Sequence, residues 1–222
     1  MGPMVSTDMP GGIPELLSTV GGVVLDVGPG SGEQLHHFDA DKIERVYGCE
    51  PAEGLHAGLR ASAERARLGE KYTVLKCGAE QESLIPALAQ AGLVGKARAG
   101  EVFDEIVCVR VLCGVPRLEE TVKGLYGLLK PGGRLVVCEH VVNPWRTGRG
   151  DWIARGFQWV YMLLGWEFFL GGCHLDRDTG RVLKEAAGRS GWAKIELREV
   201  DSWATIPYVV GVLVKGNDDR TG

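Results

Sequence analysis

Short runs rich in valine, isoleucine and leucine alternate with longer polar stretches along most of this chain. Such alternation is typical of a largely parallel β-sheet covered by helices. It predicts seven strands, at residues 23–27, 45–49, 72–76, 105–111, 134–139, 194–200 and 208–214. The predicted fold class is therefore α/β, a seven-stranded and mostly parallel sheet with helices on both faces.

The clearest predicted helices span residues 52–68 and 118–129, where apolar side chains recur at helical spacing. The sequence KPGG at 130–133 ends the second helix and turns the chain into the fifth strand. The alternation breaks after that strand, and the aromatic-rich residues 143–176 predict a helical lid insertion. Only one helix precedes the last two strands, and their short connection, DSWATIP, predicts a hairpin with an antiparallel last strand.

Chain length and apolar content favour one domain. With 222 residues and 45% hydrophobic content, the chain can bury one sizeable core. We expect a single domain over residues 13–215, between a flexible amino-terminal segment, 1–12, and a carboxy-terminal tail, 216–222. The amino terminus has no signal-like pattern, and the most apolar later segment, 157–170, is shorter than the ~20 residues of a membrane span. A cytoplasmic protein with no transmembrane span is expected.

The charge distribution and the cysteines limit the classes of ligand and the compartment that we expect for this protein. The net charge of −4 is spread without a basic block, which argues against nucleic acid and favours a small-molecule substrate. The six cysteines form no C-x-x-C pair, and most lie in apolar runs. We expect buried thiols in a reducing compartment and no metal site. The oligomeric state is left open.

The strongest motif is VVLDVGPGSGEQL at residues 23–35, where a strand runs into three glycines and then a predicted helix. Glycines let a backbone approach a ligand closely, and a following helix offers free N–H groups, so a nucleotide-like ligand is indicated. An ordinary tight turn between strand and helix is the alternative. The candidate binding residues in this loop are Asp26, Gly28, Pro29, Gly30 and Gly32.

Spacing distinguishes the kind of nucleotide. A dinucleotide fingerprint starting at Gly28 requires glycine at position 33, where this chain has Glu33. Asp26 can hold the glycine loop and approach the amino group of a cofactor, whereas its carboxylate would repel a pyrophosphate. Glu50, followed by Pro51, ends the next strand and can accept hydrogen bonds from both ribose hydroxyls, although a solvated glutamate is the alternative there.

Three segments carry a family resemblance. LDVGPGSG at 25–32, FDEIVCVRVLCGV at 103–115 and LLKPGGRLVVCEHV at 128–141 resemble the glycine motif and the fourth and fifth strands of class I methyltransferases dependent on S-adenosylmethionine (SAM), which have a Rossmann-like fold. Within that class, VLC-x-V, EHV and GGCHLDR at 171–177 are similar to motifs of the methyltransferase-like protein 7 family of alkyl thiol methyltransferases. The chain differs from that family in showing no amino-terminal membrane helix and in having His174 where asparagine is usual.

The resemblance implies SAM as the cofactor and adds site residues. The backbone of Ala79 and the side chain of Glu80 would meet the adenine. Val109, Arg110 and Val111 would border the methionine half and the reactive methyl group. All these positions are expected at the carboxyl edge of the sheet, where ligands of such folds bind.

Methyl transfer from a sulfonium is an in-line displacement that requires no covalent enzyme intermediate. A base helps only when the acceptor must lose a proton, and His140 is the catalytic candidate, with a structural role equally open. The lid carries tryptophans at 145, 152, 159 and 166, one every seven residues. The candidate substrate-pocket residues are Cys113, His140, Trp159, Tyr161, Trp166 and His174, with Cys173 also considered; core packing is the alternative for each tryptophan.

These observations predict transfer of a methyl group from SAM to a small-molecule acceptor. The resemblance suggests a thiol, while oxygen, nitrogen and carbon acceptors stay open because the same fold serves them all. Two other functions are compatible with a SAM site: a pericyclase-like biosynthetic enzyme that transfers no methyl group, and a non-catalytic SAM-binding subunit.

Overall fold

The structure, a computed structural model, describes residues 9–93, 95, 101–169 and 171–217. Each of the seven predicted strands is present. The strands are β1 (Gly22–Val27), β2 (Ile43–Cys49), β3 (Tyr72–Leu75), β4 (Phe103–Val109), β5 (Leu129–His140), β6 (Trp192–Val200) and β7 (Tyr208–Lys215). The helices are α1 (Ile13–Leu17), α2 (His56–Arg65), α3 (Gln81–Leu88), α4 (Leu118–Leu128), α5 (Trp152–Leu163), α6 (Trp166–Phe169) and α7 (Thr179–Glu185).

The strands form one sheet in the order β3-β2-β1-β4-β5-β7-β6. Strand β7 runs antiparallel to both of its neighbours, and the pairs among β1 to β5 are parallel. The predicted fold class and the antiparallel last strand are therefore confirmed. From β1 the chain continues to β2, which pairs with one edge of β1, while β4 pairs with the other edge of β1. This reversal of strand order is the topological switch point, beyond which ligands of open α/β sheets bind.

Helices cover both faces of the sheet because both faces of its central strands are apolar. On one face α1 and α2 bury Ile13, Leu17 and Leu59 against Val24 and Val107, among other residues. On the other face α3, α4 and α7 pack against the same strands, and their buried residues are Leu84, Leu88, Val122, Leu125 and Leu183. The two clusters fix the strand ends that form the site.

Several predicted boundaries were wrong. The chain after the glycine loop forms a short 3₁₀ helix, Glu33–His37, which ends where Phe38 turns extended and buries its ring. The helix predicted at 52–68 is a 3₁₀ turn, Glu53–Leu55, followed by α2. Strand β4 ends at Val109 because Arg110 adopts a left-handed conformation, with φ of 55°, which no strand tolerates.

The inserted segment at 143–176 contains a 3₁₀ turn, Trp145–Thr147, then α5 and α6. Asp151 caps α5, because its carboxylate accepts a hydrogen bond from the Ala154 N–H at 2.8 Å. Gly165, with φ of 84°, separates α5 from α6. Along the part of the chain that the structure describes, no helix combines the length and apolar character needed to cross a bilayer.

The predicted terminal segments fall largely outside the described residues. Positions 1–8 of the amino-terminal segment and 218–222 of the tail belong to that undescribed part. Helix α1 begins at Ile13, the residue at which the predicted domain begins. The domain limits stay a prediction.

Candidate active site

A cavity of about 730 Å³ opens beyond the carboxyl ends of the parallel strands, within the size range of small-molecule sites. Val27 and Cys49 reach it from the ends of β1 and β2, and His140 reaches it from the end of β5. Tyr208 enters from the beginning of β7, because that strand runs in the opposite direction. The switch point of the sheet and the cavity therefore coincide.

Glu50 joins the glycine loop to the following turn. Its buried carboxylate accepts hydrogen bonds from the Gly30 N–H at 3.0 Å and the Ala52 N–H at 2.8 Å, one on each oxygen. His56 Nε2 lies 2.8 Å from the Glu50 carbonyl oxygen and fixes the backbone. Because a carboxylate oxygen has two lone pairs, both oxygens keep acceptor capacity towards the cavity that Glu50 lines.

The three glycines of the loop differ in whether their surroundings leave space for a Cβ atom. A Cβ at Gly28, which has φ of 60°, would lie 2.3 Å from Val111 Cγ2. A Cβ at Gly32 would lie 2.9 Å from both Leu59 and Ser62 of α2, so that glycine permits close packing of the helix. A Cβ at Gly30 would meet no atom of the described chain within 4 Å. Of the three, Gly28 lines the cavity.

Asp26 lies beneath the loop and not in the cavity lining. One carboxylate oxygen accepts from the Tyr72 hydroxyl at 2.8 Å and the other from the Gln34 amide at 3.4 Å. Burial raises the pKa of Asp26 to about 6, against the lowering effect of the two hydrogen bonds. In this arrangement both Asp26 oxygens are already engaged by side chains, and a contact with the amino group of the cofactor stays a prediction.

Pro51, Gly78, Ala79 and Glu80 form the wall of the cavity beyond Glu50. The Gly78 N–H donates to Ser83 Oγ at 3.0 Å, which ties this turn to the first residues of α3. The predicted adenine-side positions and the predicted ribose-side carboxylate therefore lie in one cavity.

The turn after β4 is held by a residue that the sequence analysis missed. Buried Glu139 accepts hydrogen bonds from the N–H groups of Val111 and Leu112 at 3.0 Å each, and from that of Cys113 at 3.4 Å. Burial raises the pKa of Glu139 to about 7, although these three donors lower it. The carboxyl group shapes the strip of backbone that lines the cavity beside Gly28.

The far end of the cavity holds two thiols and an imidazole. Cys113, His140 and Cys173 are buried, and one potential ligand atom of each lies within 4.8 Å of the others. His140 Nδ1 is 3.2 Å from Cys173 Sγ, and its Nε2 is 3.1 Å from the Tyr208 hydroxyl. The sequence spacing gave no indication of this cluster, because its members come from three separate segments.

The two thiols have different acidities. The hydrogen bond from Cys113 lowers the pKa of Cys173 against the effect of its burial, and the hydrogen bond with His140 acts in the same direction. The same hydrogen bond and burial raise the pKa of Cys113.

The aromatic residues of the inserted segment divide into two groups. Trp166 lines the cavity and stacks on Tyr161, with ring centroids 5.2 Å apart and planes at 13°. Trp159 was expected in the same pocket, yet it is 63% exposed and borders a separate, more open hollow with Trp145 and Trp152. The seven-residue spacing fails because Gly165 ends α5 and redirects the chain before Trp166.

His174 also lies outside the cavity lining. Its Nδ1 faces the carboxylates of Glu167 at 3.5 Å and Asp176 at 4.0 Å. Its backbone N–H donates to the Cys113 carbonyl oxygen at 2.9 Å and joins the two loops that carry the thiols.

The cavity brings together most of the predicted site. The predicted residues in its lining are Gly28, Glu50, Pro51, Ala79, Glu80, Arg110, Val111, Cys113, His140 and Trp166. The predicted residues behind or beside it are Asp26, Pro29, Gly30, Gly32, Val109, Trp159, Tyr161 and His174. Tyr208 and Ile206 are lining residues that the sequence does not single out, since Tyr208 lies in a predicted strand and Ile206 in the connection before it.

Residues 6–197 match the family model described as a methyltransferase domain, so the chain belongs to the methyltransferase domain family. SAM is the methyl donor of this family, as the resemblance in the glycine motif implied.

Among curated proteins, human thiol S-methyltransferase TMT1A is 29% identical over 117 residues, which cover 50% of this chain and 43% of that protein. Rat thiol S-methyltransferase TMT1B is 29% identical over 125 residues, covering 54% of this chain and 47% of that protein. The matched region thus spans less than half the length of these relatives.

Solved structures share the fold. A Burkholderia thailandensis 1,6-didemethyltoxoflavin-N1-methyltransferase, crystallised with bound 1,6-didemethyltoxoflavin and S-adenosylhomocysteine, has a TM-score of 0.59 at 17% identity, with 96% of this chain and 81% of that chain covered. The 4+2 cyclase SpnF has a TM-score of 0.63 at 16% identity, with coverage of 92% and 81%. At these identities the likeness shows the fold alone.

Proposed function

We propose that this protein transfers the methyl group of SAM to a small, largely apolar thiol. The observation that carries the proposal is the continuity of the cavity, which extends from Glu50 and Ala79 to Cys113 and Cys173. One end suits a nucleoside, and the other suits a soft sulfur acceptor. The thiol S-methyltransferase names of two relatives support the choice of acceptor.

The proposed cofactor site follows from the backbone arrangement. Glu50 would accept hydrogen bonds from the ribose hydroxyls, because both oxygens keep lone pairs beside the cavity. Ala79 and Glu80 would border the adenine, and Val111 would lie beside the methionine half. Five predicted residues would support the lining from outside the cavity and keep its shape. They are Asp26, Pro29, Gly30, Gly32 and Val109.

The proposed reaction is an in-line displacement. A thiolate sulfur attacks the methyl carbon of SAM while the bond from that carbon to the sulfonium breaks and its electron pair stays on S-adenosylhomocysteine. One thiol and one SAM yield one methyl thioether, one S-adenosylhomocysteine and one proton. Proximity supplies most of the acceleration, and apolar residues such as Trp166, Val115 and Ile206 would exclude water.

His140 remains the residue proposed to assist loss of the acceptor proton. Its two ring nitrogens face Cys173 Sγ and the Tyr208 hydroxyl, so direct proton transfer requires one of these contacts to open. We therefore propose that His140 acts through the Cys113–Cys173 cluster.

The test is a matched series of acceptors with purified protein and methyl-labelled SAM. Hexanethiol, hexanol and hexylamine have the same alkyl chain, so they isolate the acceptor atom. We expect S-adenosylhomocysteine and labelled methyl hexyl sulfide in equal amounts with the thiol, and turnover at least about tenfold lower with the other two, because thiols ionise more readily near neutral pH.

Each of the other outcomes would support a different alternative function. Turnover of hexanol or hexylamine above that of hexanethiol would overturn the thiol assignment while keeping the methyl transfer. SAM binding without S-adenosylhomocysteine formation, across thiol, phenol and amine panels, would favour a non-catalytic or pericyclase-like role. The presence of a reductant in all reactions keeps Cys113 and Cys173 as thiols.

A further inference from the structure

The cluster at the far end of the cavity has the composition of a metal site. Cys113 lies in the turn after β4, His140 ends β5, and Cys173 lies in the loop after α6. Their candidate ligand atoms lie within 4.8 Å of one another, and all three residues are buried. Thiolate sulfur and imidazole nitrogen are the donors that Zn²⁺ prefers.

The spacing fits a tetrahedral ion. Zinc–sulfur and zinc–nitrogen bonds of about 2.3 and 2.1 Å place two sulfurs about 3.8 Å apart and a sulfur and a nitrogen about 3.6 Å apart. The distance from His140 Nδ1 to Cys173 Sγ is 3.2 Å, so small side-chain shifts suffice. The remaining nitrogen, Nε2, faces the Tyr208 hydroxyl at 3.1 Å, the type of outer contact that orients metal-bound histidines.

The number of ligands points to a reactive site. Structural zinc sites have four protein ligands, whereas catalytic ones have three and keep a position open. Over residues 9–93, 95, 101–169 and 171–217 the group has three members, and each of them lines the cavity. A fourth ligand can therefore come from a molecule in the cavity.

We propose that Cys113, His140 and Cys173 bind one Zn²⁺ whose fourth position takes the sulfur of the acceptor thiol. The assignment of that fourth ligand rests on the proposed function. Binding of zinc displaces one proton from each cysteine, and binding of the acceptor displaces its thiol proton to solvent. The zinc-held thiolate then attacks the methyl carbon, and the sulfonium electron pair leaves with S-adenosylhomocysteine, so no oxidant or reductant is consumed.

The direct test is metal binding by the whole protein. Protein treated with chelator and reductant is titrated with Zn²⁺ against a chromogenic chelator, and zinc retained after desalting is measured by mass spectrometry. We expect one zinc per chain. Cys113→Ser and Cys173→Ser should each weaken zinc binding by on the order of 100-fold, and Tyr208→Phe by about tenfold, as loss of an outer contact does.

Cys138→Ala is the matched control. Cys138 is a buried cysteine of β5 outside the cavity lining, so its removal changes the thiol count without touching the cluster. It should bind zinc as the unsubstituted protein does. Retained SAM binding by each variant, measured by calorimetry, shows that it is folded. Should a serine variant fail to fold, Tyr208→Phe carries the test, since it keeps all three ligands.

Cobalt identifies the fourth ligand. Co²⁺ in the same site gives thiolate charge-transfer and d–d absorption bands, and hexanethiol should shift the d–d bands while hexanol leaves them unchanged. Absence of stoichiometric zinc, or equal binding by the serine variants, would overturn the proposal. Thiol methylation by zinc-free protein at the full rate would overturn it while the proposed function stands. Zinc binding by a protein that methylates no thiol would overturn the proposed function and the fourth-ligand assignment, but not the three-residue site.

Discussion

The proposed cofactor end of the cavity and the segment at 143–176 are built in opposite ways. At the cofactor end, buried carboxyl groups hold the backbone: Glu50 binds the glycine loop, and Glu139 binds three N–H groups of the turn after β4. In the inserted segment, most large apolar side chains of α5 face outward, with Trp152 at 72% and Leu163 at 70% exposure.

Polar contacts attach the inserted segment to the sheet. The Gln158 amide, on the inner side of α5, accepts from the Asn143 N–H at 2.9 Å and donates to the Val141 carbonyl oxygen at 3.1 Å. Asn143 in turn donates to the carbonyl oxygens of Ser202 and Ala204 at 2.9 Å. The proposed nucleoside surface is therefore held by the sheet and its buried carboxyl groups, whereas the proposed acceptor surface combines His140 and Tyr208 of the sheet with Trp166 of the inserted segment.

The largest expected effect tests the rigidity of the cofactor end. Gly28→Ala and Gly30→Ala introduce the same methyl group at nearly the same φ, 60° and 59°, so their backbone strain is matched. Because the new Cβ meets Val111 only at position 28, we expect catalytic efficiency to fall by about 100-fold in Gly28→Ala. Gly30→Ala should lose only about 1 kcal/mol of stability.

Gly28→Ala should also lower the melting temperature; adding Val111→Ala removes the opposing methyl groups but leaves the Cβ of residue 111 at 2.9 Å, so it should recover part of that loss. Equal damage by the two single substitutions would show that strain, and not the approach of Val111, makes glycine necessary. Steady-state kinetics, thermal denaturation and SAM calorimetry on the three variants measure these effects.

A smaller effect tests the ribose assignment. Glu50→Gln removes the charge and places an NH2 group opposite the N–H of Gly30 or Ala52, where it cannot accept a hydrogen bond, so SAM affinity should fall by about 1–3 kcal/mol. Exposed Glu53, which pairs with Lys76 at the surface, is the control, and Glu53→Gln should bind SAM normally. Calorimetric affinity of Glu50→Gln within error of the unsubstituted protein would exclude a ribose contact.

A third contrast separates the two sides of the inserted segment. Trp166→Ala opens the acceptor end and should raise the acceptor KM by about tenfold, in keeping with loss of roughly 1–2 kcal/mol of apolar contact. Trp159→Ala should change neither the KM nor SAM affinity, because that side chain faces solvent. Steady-state kinetics with hexanethiol, at saturating SAM, compares them. A larger KM change in Trp159→Ala would place the acceptor in the outer hollow.

The smallest effect concerns pH. Asp26 has a pKa of about 6 in the folded protein and 3.8 as its ordinary value, so the folded state binds its proton more tightly. The resulting stabilisation is complete below the ordinary pKa and is lost as pH rises through about 6. The free energy of unfolding of Asp26→Asn, relative to that of the unsubstituted protein, should therefore increase by about 1 kcal/mol as the pH rises from about 5 to about 7. A melting-temperature difference that is constant over this range would mean that the Asp26 pKa is not raised.

Features that depend on neighbouring residues could be predicted from the sequence, whereas contacts between residues far apart in the chain could not. Strand alternation and the local glycine motif are properties of neighbouring residues, so the sheet and Glu50 were predicted. Glu139 holds residues 26 to 28 positions away, and a strand-end glutamate carries no local sign of that role. Trp159 and Trp166 looked equivalent by spacing, but the left-handed Gly165 between them separates their faces.

A crystal structure with S-adenosylhomocysteine is the most direct test of the proposed cofactor site. We expect ribose hydroxyls within hydrogen-bond distance of both Glu50 oxygens, adenine beside Ala79, and the cofactor sulfur directed towards Cys113 and Cys173. A nucleoside bound in the outer hollow beside Trp152 and Trp159, or in the main cavity with its adenine against Cys173, would contradict it.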